Sequence, residues 1–155
     1  MNRLHLLVIA PFMLLAACAR SAHLDAPEGF AELEPGKTYA YRATSASGVV
    51  IAVRSEDNDL KGNIEFWTAA LDYRLQKSGY TAVDQAPEKI TTDKGAVGRR
   101  LRYERERNGR PHEYWVAVFV SEGRVIVVEA AGDKAFFDGK TKKQIEAAVH
   151  SVDLG

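Results

Sequence analysis

Apolar and polar positions along this chain repeat with two periods, and the switches between them mark out its elements. From Lys37 to Glu56 the runs "KTYAYRATS" and "GVVIAVRSE" alternate every second residue, with Ala46-Ser47 between them, which predicts a β-hairpin. In the second run Val49, Ile51 and Val53 share one face, while Val50 and Ala52 share the other with Arg54. Both faces are largely apolar, so this strand is expected to be covered on both sides. The period then becomes helical. Ile64, Trp67, Leu71 and Leu75 recur through "NIEFWTAALDYRLQKSG", with Glu65 in the first turn and Gly79 placed to end the helix. Trp67 lies in that stripe and reads as core.

"YTAVD" and "KITT" read as one strand interrupted near Pro87. Next comes "GRRLRYERERNGR", Gly98 to Arg110, with six arginines in thirteen residues. Read with a period of two, it sets Arg100, Arg102, Glu104 and Glu106 on one face. Leu101 and Tyr103 fall on the other, flanked by Arg99, Arg105 and Arg107. Asn108-Gly109 is a strong turn signal, and "PHEYWVAVFVSE" runs back with Tyr114, Val116, Val118 and Val120 opposite Trp115, Ala117 and Phe119. "RVIVVEAAG" adds a strand after a turn at Glu122-Gly123, and a last helix from about Lys140 to Val152 carries Ile145, Ala148, Val149 and Val152 on one stripe. The order is β-β-α-β-β-β-β-α, about six strands joined by tight turns. That pattern predicts an α+β fold, an antiparallel sheet with helices packed on it.

This order resembles the α/β/α sandwich of the photosystem II extrinsic protein PsbP and its relatives, among them DcrB-like bacterial lipoproteins and certain chaperones of secreted effectors. The resemblance is carried by Pro27, Gly29 and Phe30, by the hairpin, by "EFW…GY" from Glu65 to Tyr80, and by the pair "YWVAVFV" and "VIVVEAAG". It runs from about Ala26 to the C-terminus. It implies a non-enzymatic assembly factor, chaperone or accessory subunit. No metal-site residue of PsbP has a counterpart here, so the resemblance brings no cofactor and no metal.

The first residues change the picture of where the domain works. "MNRLHLLVIAPFMLLAAC" has one charge, Arg3, and then an apolar run from Leu4 to Ala17. That run is short of the roughly 20 residues a spanning helix needs and has the layout of a secretory signal. Leu15, Ala16, Ala17 and Cys18 resemble the lipobox of bacterial lipoproteins, in which the chain is cut before the cysteine and its thiol is lipidated. Cys18 is the sole cysteine and stands where the lipobox needs it. Residues 1–17 are therefore read as a signal peptide, 18–36 as lipidated cysteine and tether, and 37–155 as one domain. Phe30 and Leu33, within that tether, are candidates to dock on the core. The expected address is the envelope, anchored by acyl chains. Ala19 lacks the inner-membrane signal that Asp would give in enteric bacteria, which favours the periplasmic face of the outer membrane. With no cysteine left over, the mature domain has no disulfide.

Composition narrows the chemistry. The 21 basic and 21 acidic side chains cancel, so there is no global pull toward polyanions. Glutamates interrupt the arginine run and only Tyr103 interleaves, which argues against nucleic acid. Arg99, Arg100, Arg102, Arg105, Arg107 and Arg110 are read first as a salt-bridged strand face, and second as a surface for an acidic partner protein or lipid phosphates. "EDNDLKGNIE" has the look of a calcium loop, but counted from Asp57 it puts Lys61 at the fifth position and Thr68 at the twelfth, where ligands are required. It reads as a capping loop. His5, His23, His112 and His150 have no metal-binding spacing, and no nucleophile or phosphate-loop motif occurs. Glu129 shares the face of Val125 and Val127 inside an apolar strand. A buried carboxylate needs a partner, and Arg54 or Arg42 on the early hairpin is placed to supply it. The function expected is a monomeric, lipid-anchored accessory module with a protein partner in the envelope. The alternative is a carrier holding a small apolar ligand between helix and sheet.

Overall fold

A computed structural model describes residues 22–121 and 123–155; the signal peptide, Leu15, Ala16, Ala17 and Cys18 lie outside the described residues. One antiparallel sheet organises the rest. Its strands are β1 (Phe30–Glu32), β2 (Tyr41–Ser45), β3 (Val50–Asp57), β4 (Thr81–Ala82), β5 (Glu88–Thr91), β6 (Val97–Arg107), β7 (Arg110–Ser121) and β8 (Arg124–Asp133). The spatial order is β1-β2-β3-β8-β7-β6-β4, with β5 also paired to β6. The helices are α1 (Ile64–Lys77) and α2 (Gly139–His150), with a 3-10 turn at Lys134–Phe136.

The α+β class and the antiparallel sheet match the sequence reading; the strand count does not, eight rather than six. Two causes account for the difference. The tether contributes an edge strand, with Phe30 opposite Ser45. The strand interrupted near Pro87 is two short pieces, because residues between them loop out and Asp84 turns back onto Arg102. The first hairpin strand also starts later than expected, at Tyr41 rather than Lys37.

Alternation decides what each sheet face buries. Tyr41, Ile51, Val53, Trp115, Ala117, Phe119, Ile126 and Val128 point toward α2, whose Ile145, Ala148 and Val149 close one core. Leu101, Tyr103, Val116, Val118, Val125 and Val127 point the other way and meet Leu75, with Ile64, Trp67 and Leu71 packed on the cluster, so α1 closes a second. Each helix covers one face, as the two apolar stripes dictate.

The β3–α1 loop caps its helix as anticipated. Asn63 Oδ1 accepts from Phe66 N at 2.8 Å, and Asn58 Oδ1 accepts from Gly62 N and Trp67 Nε1, each at 2.9 Å. Its Asn58 and Asn63 side chains serve the helix and the turn that leads into it.

Residues 22–36 are more firmly held than a tether. Ala22 is 3% and Leu24 0% exposed, and His23 pairs with Asp153 through both backbone hydrogen bonds, at 3.0 and 2.9 Å. Gln144 Nε2 donates to the Glu28 carbonyl at 2.8 Å. Phe30 packs on the core, while Leu33 stays exposed. Packing thus begins at the first described residue.

Candidate functional site

The long β6–β7 hairpin carries the arginines, and register fixes their directions: Arg100 pairs with Ala117, Arg102 with Trp115 and Arg107 with Arg110. On the α2 side, Arg100 and Arg102 lie over the Trp115 ring at 5.1 and 5.8 Å from its centre. Arg100 also holds Glu88 at 2.6 Å and Glu146 at 3.0 Å. Arg102 donates from Nε to both Asp84 oxygens, at 3.0 and 3.1 Å. On the α1 side, Arg99 pairs with Glu65 at 3.3 Å, and Arg105 lies 5.3 Å over the Tyr80 ring. These four arginines brace the fold, fixing β5, α2 and α1 to β6.

Arg107 and Arg110 differ. They flank the Asn108-Gly109 turn at the hairpin tip, where Asn108 has φ 52° and Gly109 φ 72°, the left-handed pair this turn requires. Arg110 is 74% exposed and reaches Asp133 only at 3.7 Å, and Arg107 has no partner among the described residues. Beside them opens a cleft of about 690 Å³, lined by His112, Ser47, Val50 and the 45% exposed Phe136 among others. Sequence placed the six arginines along one arm without their partners; the structure separates four that are braced from two at the tip that are available.

Glu129 sits where parity placed it, and Arg54 is its partner. Glu129 Oε1 accepts from Arg54 Nη2 at 2.9 Å, Arg54 Nε at 3.1 Å and the Tyr114 hydroxyl at 2.8 Å. Arg42 takes no part; its guanidinium lies over the Tyr39 ring at 5.3 Å. Burial and then the Glu129 charge push the Tyr114 phenol far up from its ordinary value, and burial with an Asp72 hydrogen bond does the same for Tyr103. Unfolded tyrosines ionise near pH 10.0 while these two keep their protons. Stability from them is therefore full below pH 10 and is lost as pH rises above it. Phenolate absorbance should show Tyr103 and Tyr114 silent until alkaline unfolding, and Tyr114→Phe should flatten that decline.

Glu113 is a buried acid the sequence reading passed over. Its side chain is 6% exposed on the α2 face, where Oε1 accepts from Trp115 Nε1 at 2.8 Å and Lys142 Nζ at 3.0 Å, while Oε2 has no partner. The signal was present: Glu113 has the parity of Trp115, Ala117 and Phe119. Beside α1, a smaller cavity of about 120 Å³ is walled by Trp67, Leu71, Val118, Val125 and Val127, with Arg54 and Arg74 among its lining. Among the described residues no three acids, histidines or cysteines gather into a metal site, and no helix is long and apolar enough to cross a membrane.

No family model and no curated protein matches this chain. Solved structures do. Cyanobacterial PsbP (CyanoP) from Synechocystis sp. PCC 6803 is 12% identical with a TM-score of 0.56, over 87% of this chain and 93% of its own. LpqN, involved in cell envelope biogenesis of Mycobacterium tuberculosis, is 18% identical with a TM-score of 0.55, over 84% of this chain and 79% of its own. A Bacteroides thetaiotaomicron protein is 12% identical with a TM-score of 0.54 over 86% of this chain, which spans only 45% of that protein's length. The fold is that of PsbP.

Proposed function

We propose that this PsbP-like domain is a lipid-anchored accessory protein of the bacterial cell envelope, and that it assists an envelope or secretion complex without catalysing a reaction. The contact is the tip of the β6–β7 hairpin. One observation carries the assignment: Arg107 and Arg110 stand beside an open cleft with Phe136 at its wall, while the other hairpin arginines are held by Glu65, Glu88, Glu146, Asp84 and Tyr80. Exposed cations beside an exposed aromatic suit an acidic protein surface. The lipobox supports the address, and LpqN is a protein of this fold with a part in envelope biogenesis. Asp84, Glu113 and Glu129 are each held by a cation, an arrangement that fixes elements together.

Crosslinking in native envelopes with mass spectrometric identification tests this reading. One dominant partner is expected with the wild type, lost in Arg107→Ser/Arg110→Ser and kept in Arg99→Ser. A partner that survives the tip variant sinks the assignment of the surface. Equal solubility of the wild type and Cys18→Ser sinks the anchor.

A second reading rests on the cavity beside α1. An apolar cavity of about 150 Å³ accommodates benzene, so the 120 Å³ here admits one small ring or a short stretch of acyl chain. With no reproducible partner and the wild type still membrane-bound, lipid released from the purified protein in denaturing mass spectrometry identifies a carrier instead.

A further inference from the structure

The end of the domain opposite the arginine tip carries an apolar surface. Seven large apolar side chains are exposed among the described residues, and three of them gather there: Leu60 at 71%, Phe66 at 48% and Val97 at 46%. Their shared location follows from register and chain connection. Val97 opens β6, ten residues from Arg107 at the tip, a span of about 33 Å at the ordinary strand rise. Leu60 is in the loop leaving β3, which Asn58 N ties to the Gly123 carbonyl of the β7–β8 turn at 2.7 Å. Phe66 is in the first turn of α1, beside Glu65, which Arg99 holds to the start of β6.

The N-terminus enters at this end too. His23 pairs with Asp153, and the Asp153 carboxylate takes Lys94 in the β5–β6 turn, three residues before Val97. Ala22 is already packed, so only residues 19–21 lie between it and Cys18. Four Cα steps reach at most about 14 Å. An acyl anchor at Cys18 therefore keeps this end, and not the tip, against the bilayer.

We propose that Leu60, Phe66 and Val97 form a membrane-docking surface seated on the lipid that holds the acyl chains, which turns Arg107 and Arg110 outward to the partner. The inference rests on the lipid anchor proposed above. Lys61, Lys94, Arg99 and Arg124 stand at this end with Asp57, Asp59, Glu65, Asp93 and Asp153, so no basic excess draws it to lipid phosphates and contact is made by apolar side chains in the interface. It is a docking surface in which the short tether selects the occupant.

With Cys18 acylated, Leu60→Cys gives the full chain one free thiol for a fluorescent label, and Arg107→Cys does the same at the tip. Each acylated protein is reconstituted into phosphatidylethanolamine–phosphatidylglycerol vesicles containing bromolipid. Quenching of the Leu60 label is expected to exceed that of the Arg107 label severalfold, with Val97→Cys behaving like Leu60→Cys. Equal quenching of an acylated protein overturns the docking surface and leaves the anchor intact. A mass showing no acyl chain on Cys18 defeats the anchor, and the proposal with it.

Discussion

Arg54→Ala is expected to lower the unfolding free energy by about 3 kcal/mol, the low end of what breaking a buried ion pair costs. The low end applies because the Arg54 and Glu129 side chains retain 13% and 15% exposure. The loss comes from what remains behind. Glu129 keeps only the Tyr114 hydroxyl as a partner, in a strand flanked by Val127 and Val128. Removing the acid is milder, since Arg54 still has Glu56 at 2.9 Å. Glu129→Leu should therefore cost less than Glu129→Ala, which adds a cavity, and both less than Arg54→Ala. Urea unfolding with an unchanged m-value ranks the three. If Arg54→Ala is no worse than Glu129→Leu, the pair is a surface contact and Glu129 is free to serve a ligand.

Such pairs are half-legible in sequence. Parity alone put Glu129 on an apolar face, because a strand has only two faces and its neighbours declare which is buried. Choosing its partner needed the strand order. Arg54 opposes Val127, on the neighbour of Glu129's own strand, while Arg42 opposes Ala52 one strand farther out. Glu113 was legible by the same parity and was missed because Tyr114 and Trp115 dominate that stretch. The division of the arginines was legible only in part, as an arm with two faces and one wet end, without the partners that brace it. Arg100 and Arg107 look alike in sequence; what separates them is Glu88 from β5 and Glu146 from α2, brought together only by the fold.

The fold itself was more legible than the site, for a physical reason. Apolar periodicity is written into consecutive residues, whereas edge strands of two or three residues bury too little to leave a pattern. So the two helices and the β6–β7–β8 meander emerged from sequence, and β1 did not. The tether joins the core earlier than its composition suggests, by the same logic. Pro27, Gly29, Pro35 and Gly36 mark a chain without regular structure, and irregular backbone can still be packed, as Leu24 shows. That distinction matters for the proposed anchor, since a chain packed from Ala22 leaves only a short reach between the domain and an acylated Cys18.

Among the described glycines without positive φ, Gly98→Ala should be the most damaging, costing about 2 kcal/mol as overpacking and roughly 8 °C in Tm. Gly98 is in β6 opposite Phe119, with ordinary backbone angles, so left-handed strain is not involved. The obstacle is space. A Cβ there would lie 2.5 Å from Phe119 Cε1 and 2.8 Å from the Val118 carbonyl oxygen. Neither neighbour gives way, since Phe119 is fully buried in the α2 core and the carbonyl belongs to the β7 backbone. Gly62 provides the contrast. Its added Cβ would meet Phe66 Cδ1 at 2.4 Å, and Phe66 is half exposed and able to swing away. Gly62→Ala should accordingly cost less. Phe119→Leu combined with Gly98→Ala should be better than the sum of the two changes, since the smaller side chain gives back the ring's share of the clash and not the carbonyl's. Thermal unfolding of the four variants measures that coupling. Additivity would mean that β6 shifts to accept the methyl. Such a shift would carry Val97 and Arg99 with it and loosen the end of the domain proposed to meet the membrane.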